Sequence, residues 1–169
     1  ITEGLVGSEM CIRDRLNFSC ENDANDKRIA KEGGIAAILR AMESHKTSEG
    51  VQEKGCGALR NLSCDAENQK RIAKEGAITA VLRAMESHKT SEGVQEDGCT
   101  ALCTLAPNAE NKKRIAKEGG IAAVLRAMES HKTSEGVQHY GCWALHNLAE
   151  NAENQKRIAK EGGIAAVLR

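Results

Sequence analysis

The sequence predicts an all-α solenoid built from three-helix repeats, and three observations carry that prediction. Ile29, Ile72, Ile115 and Ile158 hold the same place in four nearly identical stretches spaced 43 residues apart, a period that marks stacked helical units. Inside a stretch, Ile78, Val81, Leu82 and Met85 recur at i, i+3, i+4 and i+7, the spacing of a helix with one buried face. Only 2% of the 169 residues are aromatic, so the interior has to be assembled from Leu, Ile, Val, Ala, Met and Cys. Each repeat in such an array touches only its neighbours, so length counts repeats rather than domains.

Residues 1–15 fall outside the pattern. Leu16-Asn17-Phe18-Ser19-Cys20 aligns with Arg60-Asn61-Leu62-Ser63-Cys64, but what precedes Leu16 is Cys11-Ile12-Arg13-Asp14-Arg15 and not a helix of the GCGAL type. The run from Leu5 to Arg15 resembles a sequencing-library adapter translated in frame, so 1–15 are expected to be a non-native leader outside the fold. Residues 16–169 then form the array: a partial repeat, three full 43-residue units and a truncated last one. Arg169 falls inside the second helix of the fourth unit, which reads as the cut end of a fragment.

Within a unit the first helix begins after Asp65, Asn108 or Asn151, each a side chain suited to capping a helix N-terminus. It ends at glycine: Gly33-Gly34, Gly76, Gly119-Gly120, Gly162-Gly163. The second helix carries the stripe of Ile78 and Met85 and runs out in the polar stretch ESHKTSEG. The third starts near Thr47 or Ser48, with Glu49 favourable in its first turn, and turns Val51, Ala58, Leu59 and Leu62 inward. Its third copy is expected to break off slightly early, at Pro107. The first helix offers little more than Ile72 as a large apolar group, so stacking must supply the core.

Lys+Arg and Asp+Glu both number 24, so no overall field favours nucleic acid or an anionic membrane, and neither is expected as a partner. No apolar stretch approaches the roughly 18 residues of a membrane span. The seven Cys recur at repeat positions such as Cys56, Cys99 and Cys142, which suits free thiols buried as small hydrophobes in a reducing, intracellular compartment, cytoplasmic or nuclear.

The unit ENQKRIAKEGAITAVLRAM followed by VQEKGCGALRNL resembles the armadillo repeat, and the resemblance covers Leu16 to Arg169. The two-helix HEAT repeat usually has a proline early in its first helix; here Pro107 is the one proline and sits in a linker. The resemblance implies an armadillo-type right-handed α-solenoid whose third helices line a concave groove for extended peptides or partner proteins. In peptide-binding members a Trp and an Asn four residues later on the third helix clamp the ligand, and Trp143 with Asn147 in GCWALHNL matches that pair. Gly57 with Asn61, and Thr100 with Thr104, depart from it.

The copies themselves mark a face. Laid over one another, VQEKGCGALRNLSC, VQEDGCTALCTLAP and VQHYGCWALHNLAE differ at the places of Glu53, Lys54, Gly57, Arg60, Asn61 and Cys64, with a Ser-to-Ala change at Ser63. At about 100° per residue those six places span an arc of roughly 120° on one helix. The rest of the unit, exposed Lys and Glu included, stays nearly fixed. Either recently copied repeats drifted there, or the stripe is a recognition surface of Lys54, Arg60 and Asn61, then Asp97, Thr100 and Thr104, then Tyr140, Trp143, His146 and Asn147. Tyr140 and Trp143 beside Asn147 form its expected hot spot, the alternative being that Trp143 only packs between neighbouring third helices.

Other constellations point elsewhere than to chemistry. Cys99 and Cys103 lie four apart without a CxxC, too few convergent ligands for zinc. His45, His88 and His131 read as a solvated ladder. The cluster Lys70, Arg71, Lys74 recurs in all four copies and has the composition to dock phosphate or an acidic peptide; followed each time by Glu32, Glu75, Glu118 or Glu161 and facing rows such as Glu43, Glu86 and Glu129, it is expected instead to form a solvated mixed-charge face. No nucleophile, base and orienting group converge and no nucleotide fingerprint occurs, so neither an enzyme nor a cofactor is expected. The functional expectation is a non-enzymatic adaptor for an extended peptide or protein. Two alternatives stand beside it: the docking region of a larger ubiquitin ligase or kinase, and a purely structural scaffold.

Overall fold

Asp65, Asn108 and Asn151 each accept hydrogen bonds from the backbone N–H groups two and three residues on, and a nine-residue helix follows every time. Four glycines, Gly33, Gly76, Gly119 and Gly162, follow these first helices with φ between 91° and 94°. That left-handed backbone is cheap for glycine alone, and where the next helix is described it starts at the following residue. A computed structural model describes residues 23–162. The leader 1–15, the partial repeat up to residue 22 and the last second helix beyond 162 lie outside them.

The described residues form α1 (Asp23–Lys31), α2 (Gly34–Ser44), α3 (Glu49–Leu62), α4 (Ala66–Lys74), α5 (Ala77–Ser87), α6 (Glu92–Leu105), α7 (Ala109–Lys117), α8 (Gly120–Ser130), α9 (Glu135–Ala149) and α10 (Ala152–Lys160), with no strand among them. First, second and third helices alternate in the order the sequence predicts. Like packs on like from copy to copy: α2 on α5 on α8, and most extensively α3 on α6 on α9. Pro107 does not shorten α6, which ends at Leu105, the counterpart of Leu62 at the end of α3. The proline falls after the last helical turn, where it costs no backbone hydrogen bond. No helix among the described residues is long and apolar enough to cross a membrane.

The core runs along the stack. Ile72 and Ile115 from first helices, Ile78, Val81 and Ile121 from second helices, and Leu102, Leu105 and Leu148 from third helices are fully buried. Second and third helices touch at glycine: a Cβ on Gly55, Gly98 or Gly141 would stand 2.6 Å from the Cγ of Met42, Met85 or Met128.

Polar side chains tie each copy to the one before. Arg71, Arg114 and Arg157 donate from Nη1 to the carbonyls of Ala30, Ala73 and Ala116, at the C-terminal end of the preceding first helix. The Ala73 and Ala116 carbonyls, in the last helical turn, also accept from the N–H of Gly76 and Gly119 just past the helix. Ser91 and Ser134 donate to Glu49 and Glu92 of the preceding third helix, both at 2.7 Å. The histidine row is not simply solvated: a ring nitrogen of His88 lies 2.8 Å from the Lys46 carbonyl and that of His131 2.9 Å from the Lys89 carbonyl. The glutamate rows also face other partners than expected. Arg83 meets Glu43 and Arg126 meets Glu86 across the second helices, and Lys46, Lys89 and Lys132 meet Glu43, Glu86 and Glu129 one turn on, so these cations, and not the Lys70 cluster, engage the glutamates.

Candidate functional site

The third helices are held by their constant residues. Ser91 and Ser134 cap α6 and α9, accepting from the N–H of Val94 and Val137 at 3.3 Å. Gln52, Gln95 and Gln138 reach back with Nε2 to two carbonyls at the end of the second helix, Met85 at 2.8 Å and His88 at 2.9 Å in the case of Gln95. What remains free to vary is the side on which third helices meet each other and solvent.

Between α3 and α6 that side is ionic. Arg60 donates from Nη1 to Asp97 Oδ1 at 2.8 Å and from Nε to Asn61 Oδ1 at 3.1 Å. Asp97 lies over Gly57, where a Cβ would come within 3.0 Å of its Oδ2, so the glycine makes room for the carboxylate of the next copy. Burial pushes the Asp97 carboxyl above the usual carboxylate range, and Arg60 offsets only part of that. Lys54 stands apart, exposed and paired with Glu53 at 2.5 Å, a hydrogen bond that raises the pKa of its ammonium.

Between α6 and α9 the side is a cleft. Thr100, Thr104, Tyr140, Trp143 and Asn147 line one cavity of about 220 Å³, together with Cys103 and residues that include Gln69 and Pro107. Five of the ten residues expected from sequence thus meet in one place; Arg60, Asn61 and Asp97 form the neighbouring cluster, and Lys54 and His146 join neither. His146 is exposed and lies near Glu150.

The cleft also departs from the expectation of an exposed stripe. Thr100 is 1% exposed and Cys103 3%, because α6 has a third helix on either side, while Asp97 and Thr104 stay half-buried. Thr100 satisfies its hydroxyl on the Glu96 carbonyl at 2.8 Å, and Thr104 on the Ala101 carbonyl at 3.1 Å. Asn147 donates from Nδ2 to the Cys103 carbonyl at 3.0 Å, which satisfies an end carbonyl of α6. Its Oδ1 has no hydrogen-bond partner among the described residues.

Three participants were not singled out from sequence. His139 sits edge-on to Tyr140, ring centroids 5.0 Å apart, and edge-on to Trp143 at 6.1 Å. It stands where the other copies have Glu53 and Glu96, so the signal was present in the aligned copies. Cys103 stands at the varying place of Arg60, a signal of the same kind. Gln69 belongs to a first helix and donates to the carbonyls of Ser63 and Thr104, both at 3.0 Å; no local pattern marks it.

No protein-family model matches the sequence. Over 66 residues the chain is 47% identical to Protein aardvark of Dictyostelium discoideum, a stretch that makes up 38% of this chain and 9% of that protein. The chain therefore matches a small part of that relative's length.

Burial raises the thiols of Cys56, Cys99 and Cys103 to about 12, which leaves them protonated and unreactive at neutral pH. Cys142, at the same repeat position as Cys56 and Cys99, is exposed because no third helix follows α9 among the described residues. Among the described residues no three His, Cys, Asp or Glu side chains are placed to hold a metal ion. What the cleft presents is an aromatic wall of Tyr140 and Trp143 beside the free carbonyl oxygen of an amide.

Proposed function

We propose that the chain is an armadillo-type array, a right-handed solenoid without catalytic activity, that binds an extended peptide or a partner protein along its third-helix face. The observation that carries this reading is the cleft between α6 and α9. There Tyr140, Trp143 and Asn147, at places that differ from copy to copy, line one cavity. An apolar side chain entering it would bury itself against two aromatic rings, the residue types that contribute most to interface energy. Asn147 Oδ1 is then placed to accept from a peptide N–H. The free thiols of Cys56, Cys99, Cys103 and Cys142 suit the cytoplasm or nucleus as the compartment.

Trp143 is the one tryptophan of the chain and therefore a built-in reporter. Titration with a library of extended peptides is expected to shift or quench its emission, and Trp143→Ala to weaken binding by about 2 kcal/mol. Peptide binding seen by calorimetry with the Trp143 emission unmoved would place the ligand elsewhere.

A structural scaffold is the second reading, and a specific observation favours it. Asn147 and the Arg60–Asp97 pair already join neighbouring third helices. On that reading substitution of Lys54, Trp143 or Asn147 changes no interaction with another protein. A docking region of a larger ubiquitin ligase or kinase would bind at the same cleft and is distinguished by activity of the full-length protein.

A further inference from the structure

The first helices carry a second feature that the third-helix reading does not use. Lys27 of α1 meets the Asp65 carboxylate at the start of α4, 3.2 Å away. One copy and two copies later the capping residue is Asn108 and Asn151. Both keep the cap, accepting from the same two backbone N–H groups at 3.1 Å, and both lack the charge. Lys70 and Lys113, the counterparts of Lys27, have no carboxylate within ion-pair distance among the described residues.

The consequence is sharpest between α7 and α10. Lys113, Lys117, Lys156 and Lys160 line one groove there with Asn151, and Glu153 is the one carboxylate in its walls. Glu153 lies 3.9 Å from Lys156, at the limit of an ion pair. Arg157, also in the wall, is already engaged by Glu161 at 3.1 Å and by the Ala116 carbonyl. Four ammonium groups therefore face one groove against a single carboxylate, in a chain whose formal charges sum to zero.

We propose that this groove docks an acidic, extended segment of a partner protein, held by Lys113, Lys117, Lys156 and Lys160. None of the lining residues is aromatic, so the stacking platform that single-stranded nucleic acid uses is missing. Ala116 is the one apolar residue in the wall, which leaves no apolar anchor of the kind a membrane-surface site carries. Flexible ammonium groups along a groove suit side-chain carboxylates presented at intervals.

The probe is a fluorescein-labelled peptide of alternating Glu and Gly, roughly eight residues and about 25 Å long when extended. Its anisotropy is followed with the full chain at low salt. Saturable binding is expected, weakening roughly tenfold when the four lysines are changed to Gln, and weakening as salt is raised. Asn151→Asp restores the carboxylate present at position 65 while keeping the cap, and is expected to weaken binding several-fold with unchanged helicity. Trp143→Ala leaves this binding intact, which separates it from the third-helix cleft. Absence of saturable binding overturns the proposal, as does binding indifferent to the lysine substitutions. Tighter binding of an oligothymidylate of equal charge would assign the groove to nucleic acid instead.

Discussion

Asp97 and Asp65 show how far one residue type is set by its surroundings. Burial raises the pKa of Asp97 in spite of Arg60, so the native state holds that proton more tightly than the unfolded chain does. Its contribution to stability is full below the unfolded value of about 3.9 and is lost as pH rises through the folded value. Asp97→Asn is therefore expected to leave the melting temperature at pH 7 unchanged or higher, even though Arg60 loses its partner; a fall of several degrees would show that the ion pair outweighs burial. Asp65 goes the other way. The N–H of Asn68, the largest influence, and Lys27 lower its pKa, so its contribution is present above the unfolded value and lost as pH falls through the folded one. Asp65→Asn keeps the cap, as Asn108 shows, and is expected to flatten the acid limb of a stability profile taken from neutral pH downward. At this scale the sequence is partly legible. Trp143 and Asn147 can be picked out because aligned copies expose what differs. The Arg60–Asp97 pair cannot, since it depends on which helices stack and on the missing Cβ of Gly57.

Elements were legible wherever their signals are local. The caps at Asp65, Asn108 and Asn151 and the glycines at 33, 76, 119 and 162 act within a turn of themselves, and the helices start and stop by them. Contacts between helices of different copies were not legible, because a solvated Arg71 or His88 and a bonded one are spelled alike. The constancy of those residues thus follows from their bonds across copies, and it counts less as a contrast with the varying stripe. Two substitutions test how elements are joined. Gln95 is 3% exposed and donates to two carbonyls at the end of α5. Gln95→Leu removes that donor from both, leaving the His88 carbonyl with the Ser91 N–H alone, and is expected to cost about 1–3 kcal/mol in urea unfolding. Gly98→Ala drives a methyl group into Met85, for which a loss of about 1–3 kcal/mol is expected unless the methionine rotates away. The same change at exposed Gly50, which meets nothing within 4 Å, serves as the control.

At the scale of the whole molecule, stability in a stack of repeats is a sum of weak units and the interfaces between them. First helices contribute one large apolar residue each, so their interfaces rest heavily on polar bridges: Arg114 to the Ala73 carbonyl and Asn111 to the Gln69 carbonyl join α4 to α7. In the interior of the array α5 and α6 have a like helix on both sides, while Ile29 in α1 is 45% exposed although its counterparts Ile72 and Ile115 are fully buried. Native-state hydrogen exchange is therefore expected to be slowest in α5, α6 and α8, and to quicken toward α1 and α10. Arg114→Met removes one bridge and leaves Glu118 without its 2.6 Å partner, a change of about 1–2 kcal/mol placed at one interface. If the array behaves as coupled units, that loss appears as faster exchange confined to the helices on the far side of the weakened interface, with α5 barely affected. A uniform acceleration from α1 to α10 would instead show that the described residues unfold as one cooperative block, and that the repeat interfaces are stronger than the units they join.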